Sequence, residues 1–144
     1  MREILAITGA LSDGNRVRVL QALKGGEVCV CQITEFLGLS PSTASKHLSI
    51  LRAAGLVEAR KEGRWMYYRL PGDAAPPPVR GAIEWLQSAL ARDPQVKEDR
   101  KRLEAVLKED PEEICRRQTG RSGCCSSAPG TRAGARWPRA GRGT

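Results

Sequence analysis

The sequence predicts a mainly α-helical fold carrying one β-hairpin wing. Three observations predict it: a capped helix opening at Ser40, an alternating hairpin pattern directly after it, and a short helix that stops at Gly38 just before it. Ser40 is a good N-cap, and Pro41 occupies the first helical position, where its missing N–H is harmless. Ala44, Leu48 and Leu51 then recur at helical spacing, while Ser42, Thr43, Ser45, Lys46, His47 and Ser49 crowd the other faces. Gly55 supplies the stop. Alternation resumes as VEARKE, a Gly63-Arg64 turn and WMYYRL, which reads as a hairpin. Upstream, residues 33–37 form a second short helix, and only a tight turn separates it from Ser40. Together these stretches make a winged helix-turn-helix.

The remaining elements follow in order. Ile4, Leu5, Ile7 and Leu11 outline a first helix that ends around Gly9 to Ser12. Asp13 or Ser12 caps a second, whose apolar residues Val17, Val19, Leu20 and Leu23 precede a Gly25-Gly26 stop. Residues 27–32, rich in β-branched side chains, suit an extended or irregular lead-in. After the hairpin a Pro-rich connector leads to a helix through about Arg92, with Val79, Ile83, Leu86 and Leu90 as its stripe and Trp85 beside it. Asp93-Pro94 interrupts, and a charged helix with Val96, Leu103, Val106 and Leu107 runs on to Asp110-Pro111. From about Arg116 no periodicity survives among Gly, Arg, Ser, Ala and Pro, a composition expected to be disordered when alone. The expected organisation is therefore a DNA-binding and dimerisation domain over 1–92, a charged helix over 93–114, and an Arg/Gly-rich tail with cysteines over 115–144.

At 144 residues the chain has room for one core with appendages. It contains no bilayer-length apolar run and no signal-peptide pattern, so a cytoplasmic protein without a membrane partner is expected. There its five cysteines would be reduced, which favours metal binding or redox sensing over a disulfide framework. The net charge of +8 is unevenly spread: residues 1–114 hold 17 Lys+Arg against 16 Asp+Glu, and residues 115–144 hold 7 Arg and no acid. Within residues 40–70, six cations face two acids, a local +4. A clustered patch of this kind is what phosphate recognition uses.

In a winged helix-turn-helix the second helix enters the major groove and wing cations contact the flanking backbone. Ser42, Thr43, Ser45, Lys46 and His47 are then the reading surface, and Arg60, Lys61 and Arg64 the wing contacts, with double-stranded operator DNA as the partner. Any one of these hydroxyls is equally a solvated side chain, His47 is equally a packing residue, and the wing cations alone would be a solvated charge run. Their coincidence with the helix-turn-helix tips the balance to DNA. No catalytic constellation, Gly-rich phosphate loop or paired carboxylate site is found, so an enzyme is not expected.

Two motifs carry a family resemblance. Ser45, His47, Leu48, Leu51, Arg52, Ala54, Gly55, Leu56 and Val57 match an S-x-H-L-x-x-L-R-x-A-G-L-V pattern, and Gly63, Arg64, Tyr67, Tyr68 and Leu70 match a G-R-x-x-Y-Y-x-L wing. With LSDGNRVRVLQAL and the Cys-Val-Cys segment, the first 90 or so residues resemble the ArsR/SmtB family of metal-responsive winged-helix repressors. The resemblance implies a homodimer in which the first helix and the helix after the wing pack across the two-fold axis, through Ile4, Leu5, Ile83, Leu86 and Leu90 here.

EVCVCQI is similar to the segment that arsenic-sensing members carry, which implies trivalent arsenic or antimony as inducer, Cys29 and Cys31 as ligands, and no organic cofactor. Paired thiolates suit soft ions, and a helix N-terminus favours the thiolate. Residues two apart on a helix point about 200° apart, whereas in an extended segment they share a face. Gathering both sulfurs on one ion therefore requires non-helical backbone, and that distortion would tilt the reading helix. Where such members offer a third Cys, this chain has Thr34; Cys115, Cys124, Cys125 or an exogenous thiol could stand in. Zinc fits less well, since His47 is the sole His and Glu84 the sole acid of residues 79–92. Cadmium or lead, and a thiol redox response at Cys29-Cys31, remain open.

Overall fold

The computed structural model describes residues 1–63 and 65–119. Seven helices and three short strands follow one another as α1 (Arg2–Ala10), α2 (Gly14–Ala22), β1 (Val28–Cys29), α3 (Val30–Leu37), α4 (Pro41–Ala53), β2 (Glu58–Glu62), β3 (Trp65–Arg69), α5 (Pro77–Ala89), α6 (Pro94–Lys108) and α7 (Pro111–Thr119). A short 3-10 turn, Leu23–Gly25, closes α2. No helix among the described residues is long and apolar enough to cross a membrane.

The helix-turn-helix is built as its sequence dictates. The Ser40 hydroxyl accepts the Thr43 N–H at 3.4 Å and Pro41 begins α4. Gly38 ends α3 in the left-handed region at φ 69°, with its own N–H and that of Leu39 returning to Glu35 and Thr34 carbonyls. The same arrangement recurs after α4. There Gly55, at φ 77°, bonds back to Arg52 and Leu56 bonds back to Leu51, satisfying carbonyls that the helix end leaves open.

The sheet is antiparallel in the order β1-β3-β2. In its register Glu62 faces Trp65, Arg60 faces Tyr67 and Ala59 faces Tyr68, while on the other edge Cys29 faces Tyr67 and Val28 faces Tyr68. The wing is therefore not a free hairpin but the outer part of a three-stranded sheet whose third strand carries the first cysteine. Beneath it, Leu20, Leu23, Ile33, Phe36, Leu48, Leu51, Leu56 and Met66 form the core.

Beyond α5 the chain turns back. Both α6 and α7 pack on α3, and α6 also packs on α2. Arg18 of α2 grips Asp99 of α6 through Nε (2.9 Å) and Nη2 (3.0 Å), Gln95 Nε2 donates to the same carboxylate at 3.0 Å, and the guanidinium lies over Phe36. Two boundaries differ from the sequence expectation. α3 starts at Val30 rather than near Ile33, because the Cys29 N–H donates to Gln32 Oε1 (3.1 Å) and the Cys29 side chain accepts from the Gln32 N–H, a capping box that starts the helix early. The expected boundary at residue 115 falls inside a helix: Asp110 caps α7 by accepting the Glu112 N–H at 3.0 Å, and Ile114 and Cys115 are fully buried.

Candidate metal centre and nucleic-acid interface

On α4, Ala44, Leu48 and Leu51 are buried, which turns Ser42, Thr43, Ser45 and Lys46 outward and leaves them exposed, the disposition a reading surface needs. Ser42 and Thr43 also share the Ser40 hydroxyl, at 3.3 and 2.8 Å, so part of their bonding capacity serves the cap. His47 is half-buried, and its Nδ1 is enclosed with no hydrogen-bond partner among the described residues. That favours its packing role on the ring's inner side.

The wing residues divide. Lys61 is half-exposed on β2 beside the Gly63 turn, whose φ of 60° only glycine adopts at ease. Arg60 is committed elsewhere. Its Nε donates to Glu27 Oε2 at 2.7 Å, its two terminal nitrogens donate to Glu27 and Glu62, and the guanidinium lies 4.7 Å from the Tyr67 ring centre. These carboxylates, Glu27 first, raise its pKa above the ordinary arginine value and keep the charge occupied within the protein. Glu27 was not foreseen as part of the wing. It lies 33 residues from Arg60 in the chain, too far for any local pattern to reveal. Arg64 lies outside the described residues.

The two cysteines of the Cys-Val-Cys segment have different settings. Cys29 has extended backbone (φ −72°, ψ 148°), pairs with Tyr67 in the sheet and caps α3; its thiol is buried. Cys31 is one residue inside the helix and is also buried. Burial, with the charge of Cys29 second, pushes the Tyr67 hydroxyl pKa up. Soft, polarisable sulfur is the donor type that thiophilic ions seek, so this donor set fits such an inducer. Among the described residues, however, no three His, Cys, Asp or Glu side chains are gathered into a cluster that could hold an ion. The expectation of reduced cysteines is not met at two positions: Cys31 and Cys115 are both disulfide-bonded, and the Gln118 Nε2 of α7 donates to the Cys31 carbonyl at 3.0 Å. Cys124 and Cys125 lie outside the described residues.

Of the residues expected at a two-fold interface, Ile4 and Leu5 are 49% and 63% exposed on α1, which packs on α5. Ile83 and Leu90 are half-buried, and Leu86 faces the protomer's own core. Trp85 stands out at 64% exposed.

Comparison with known proteins matches residues 13–59 to the model of bacterial regulatory proteins of the arsR family. The solution structure of a homodimeric winged helix-turn-helix DNA-binding domain from Mycobacterium bovis, described as a possible ArsR-family transcriptional regulator, overlays with a TM-score of 0.53 at 30% identity, covering 67% of this chain and 84% of that one. The chain belongs to the ArsR family. It is thus one of a family of transcriptional regulators that bind DNA through a winged helix-turn-helix, and not an enzyme. The arsenic resistance transcriptional regulator ArsR1 of Pseudomonas putida is 45% identical over 74 residues, 49% of this chain and 58% of that protein. A cadmium resistance regulatory protein CadC homolog of Staphylococcus aureus is 39% identical over 69 residues, 47% of this chain and 57% of that protein. The chain thus spans a little over half the length of these two relatives, and this ArsR-family regulator resembles arsenic- and cadmium-linked members alike.

Proposed function

We propose that this ArsR-family chain is a homodimeric repressor that holds double-stranded operator DNA and is released when trivalent arsenic or antimony engages the Cys29 and Cys31 thiolates, the latter once its disulfide is reduced. One observation carries the reading: Cys29 is at once the cap of α3, the helix leading into the reading helix, and the sheet partner of Tyr67 in the wing. The soft inducer supplies strong bonds to sulfur in place of hydrogen bonds.

The chain's own residues translate that exchange. Cys29 and Cys31 straddle the point where extended backbone becomes helix, so drawing their sulfurs together disturbs the Cys29–Gln32 box and the first turn of α3. Gly38 and Leu39 pass that movement directly to Ser40 and α4. Ser42, Thr43, Ser45 and Lys46 then leave register with base edges and phosphates, and the operator complex weakens. Lys61 and Arg64 serve as wing contacts. The exposed Ile4 and Leu5 beside α5 support a two-fold interface, in keeping with the homodimeric relative.

The arsenic assignment rests on the Cys-Val-Cys segment and on the arsenic-resistance relative; the cadmium-resistance relative is why the test must include that ion. An operator gel shift would compare wild type, Cys29→Ser, Cys31→Ser and a chain ending at residue 114, titrated with arsenite, cadmium, zinc and peroxide. The expected result is release of wild type by arsenite and none for the double serine variant. Equal release of that variant would overturn the site, release by cadmium alone would overturn arsenic, and release by peroxide alone would make the switch a redox one.

A further inference from the structure

We propose that the cleft between α2 and α6, floored by Phe36 of α3, is a binding site for a small organic carboxylate with an apolar body. The cleft shares no residue with the cysteine switch or with the reading surface, so the site stands whether or not that reading holds.

Space and lining come first. α6 packs on both α2 and α3, yet a cleft of about 410 Å3 stays open between them, within the range of about 300–1,000 Å3 that small-molecule sites occupy. Ala22, Phe36, Val96 and Leu103 give it an apolar wall, and Leu107, which also lines it, is 45% exposed. An apolar body seated there takes these side chains out of water.

The polar groups decide what that body carries. Gln21 Nε2 is shut away from solvent with no hydrogen-bond partner among the described residues. A buried donor left unpaired is costly, and folded chains seldom keep one. The Gln21 side chain is half-buried on the cleft wall, so turning its terminal amide, a torsion with a broad minimum, presents that donor to a ligand in the cleft. The site therefore wants an acceptor. Four charged side chains also line the cleft, and Asp99 is already spent, its carboxylate held by Arg18 and Gln95. Of the other three, Lys24 and Arg100 are exposed cations with no ion-pair partner among the described residues, and Glu104 is the one acid. The uncommitted charge is net positive, so the acceptor that fits is an anion. A carboxylate supplies both: its oxygens accept from Gln21 and lie toward Lys24 and Arg100, while the apolar body covers Phe36, Val96 and Leu103.

Occupancy would be felt beyond the cleft. On the same helix α6, Arg102 Nη2 lies 3.2 Å from where a Cβ on Gly38 would stand, beside the turn into α4. A ligand that fixes α6 on α2 and α3 thus holds the C-terminal arm against the helix-turn-helix, through residues that the thiols do not touch.

The test uses the full chain with β-naphthoate as probe and β-naphthamide as its uncharged counterpart. Calorimetric titration should show one naphthoate per chain, saturating in the micromolar range, with the naphthamide several-fold weaker because it gains nothing from the two exposed cations. Gln21→Leu removes the unpaired donor at nearly equal volume. It should weaken naphthoate by at least about tenfold, the worth of a hydrogen bond to a charged group, while the melting temperature stays level or rises. In a proton–nitrogen correlation spectrum of the wild type, the Gln21 side-chain amide pair should move more than that of any other glutamine on saturation. Sequential assignment identifies that pair without a variant, so a folding defect in Gln21→Leu leaves the test intact. Affinity that Gln21→Leu leaves unchanged, or a saturated spectrum in which the Gln21 pair stays still, overturns the site. Naphthamide that binds as tightly as naphthoate overturns the carboxylate. A probe that shifts the oligomeric state without saturating at one per chain makes the cleft a contact between copies, and no binding at all means that something else covers it; either result ends the proposal.

Discussion

Replacing Arg60 with alanine separates two roles that look identical in sequence. If Arg60 were a wing contact to DNA, its loss would leave folding intact and remove one phosphate interaction, lowering the salt dependence of operator binding by about 0.9 in log Kd against log salt. The structure argues for the opposite outcome. Arg60 spends its donors on Glu27 and Glu62 and stacks on Tyr67, with only 18% of its side chain exposed. Its partners Glu27 and Glu62 are 29% and 61% exposed, so each pair belongs to the range of about 0.2–1 kcal/mol, the Glu62 pair at the lower end. The ring contact adds about 0.5–1 kcal/mol. Arg60→Ala should therefore cost about 1–2 kcal/mol of folding stability and leave the salt slope unchanged, whereas Lys61→Ala should lower the slope by about 0.9 with little effect on stability. Urea denaturation and a salt series of operator titrations measure both. A flattened slope for Arg60→Ala equal to that for Lys61→Ala would refute the reasoning, since it would mean that Arg60 leaves its carboxylates when DNA is present.

Asp99→Ala strands Arg18 in a partly buried position and frees the C-terminal arm; a loss of about 2 kcal/mol is expected in urea denaturation, below the range for fully buried pairs because Arg18 keeps 23% exposure. Gly38→Ala forces a left-handed backbone on a residue with a Cβ, which would also come to 3.2 Å from Arg102, and should lower stability by about 1–2 kcal/mol with a matching fall in melting temperature. Tyr67 holds its proton more tightly in the folded than in the unfolded chain, so its contribution is complete below the ordinary tyrosine pKa of 10.0 and is lost as pH rises through the higher folded value. Ultraviolet titration should show the transition removed by Tyr67→Phe lying above pH 10.0; one at or below it would contradict the burial.

How much of this was legible depended on distance along the chain. The Ser40-Pro41 start, the Leu48 and Leu51 face and the Gly38 and Gly55 stops are local chemistry, and the helix-turn-helix and hairpin stand where that chemistry puts them. Asp110-Pro111 carried the same start signal as Ser40-Pro41 and as Asp93-Pro94, each with the cap accepting from the second or third following N–H. The composition turns basic a few residues later and masks that signal, so α7 is not legible from the local pattern. The early start of α3 was hidden for another reason. Cysteine is not a usual capping residue, yet in Cys29-x-x-Gln32 its sulfur does what a serine oxygen does elsewhere. The Glu27–Arg60 pair and the Cys31–α7 contact join segments 33 and 87 residues apart, and no periodicity carries that information.

The register that sets Cys29 opposite Tyr67 also gives the protein a built-in optical gauge. Trp65 sits two residues before Tyr67 on β3, hence on the same face of the sheet, and is half-buried. An indole in that position emits according to how its surroundings are packed and hydrated, and its neighbours along that face are the ones a perturbation at Cys29 reaches first. Trp85, out on α5 at 64% exposed, sees mostly solvent. With Trp85 and Trp137 replaced by phenylalanine, the emission of a single ring reads the state of the thiol without a label, in real time and with no DNA in the cuvette.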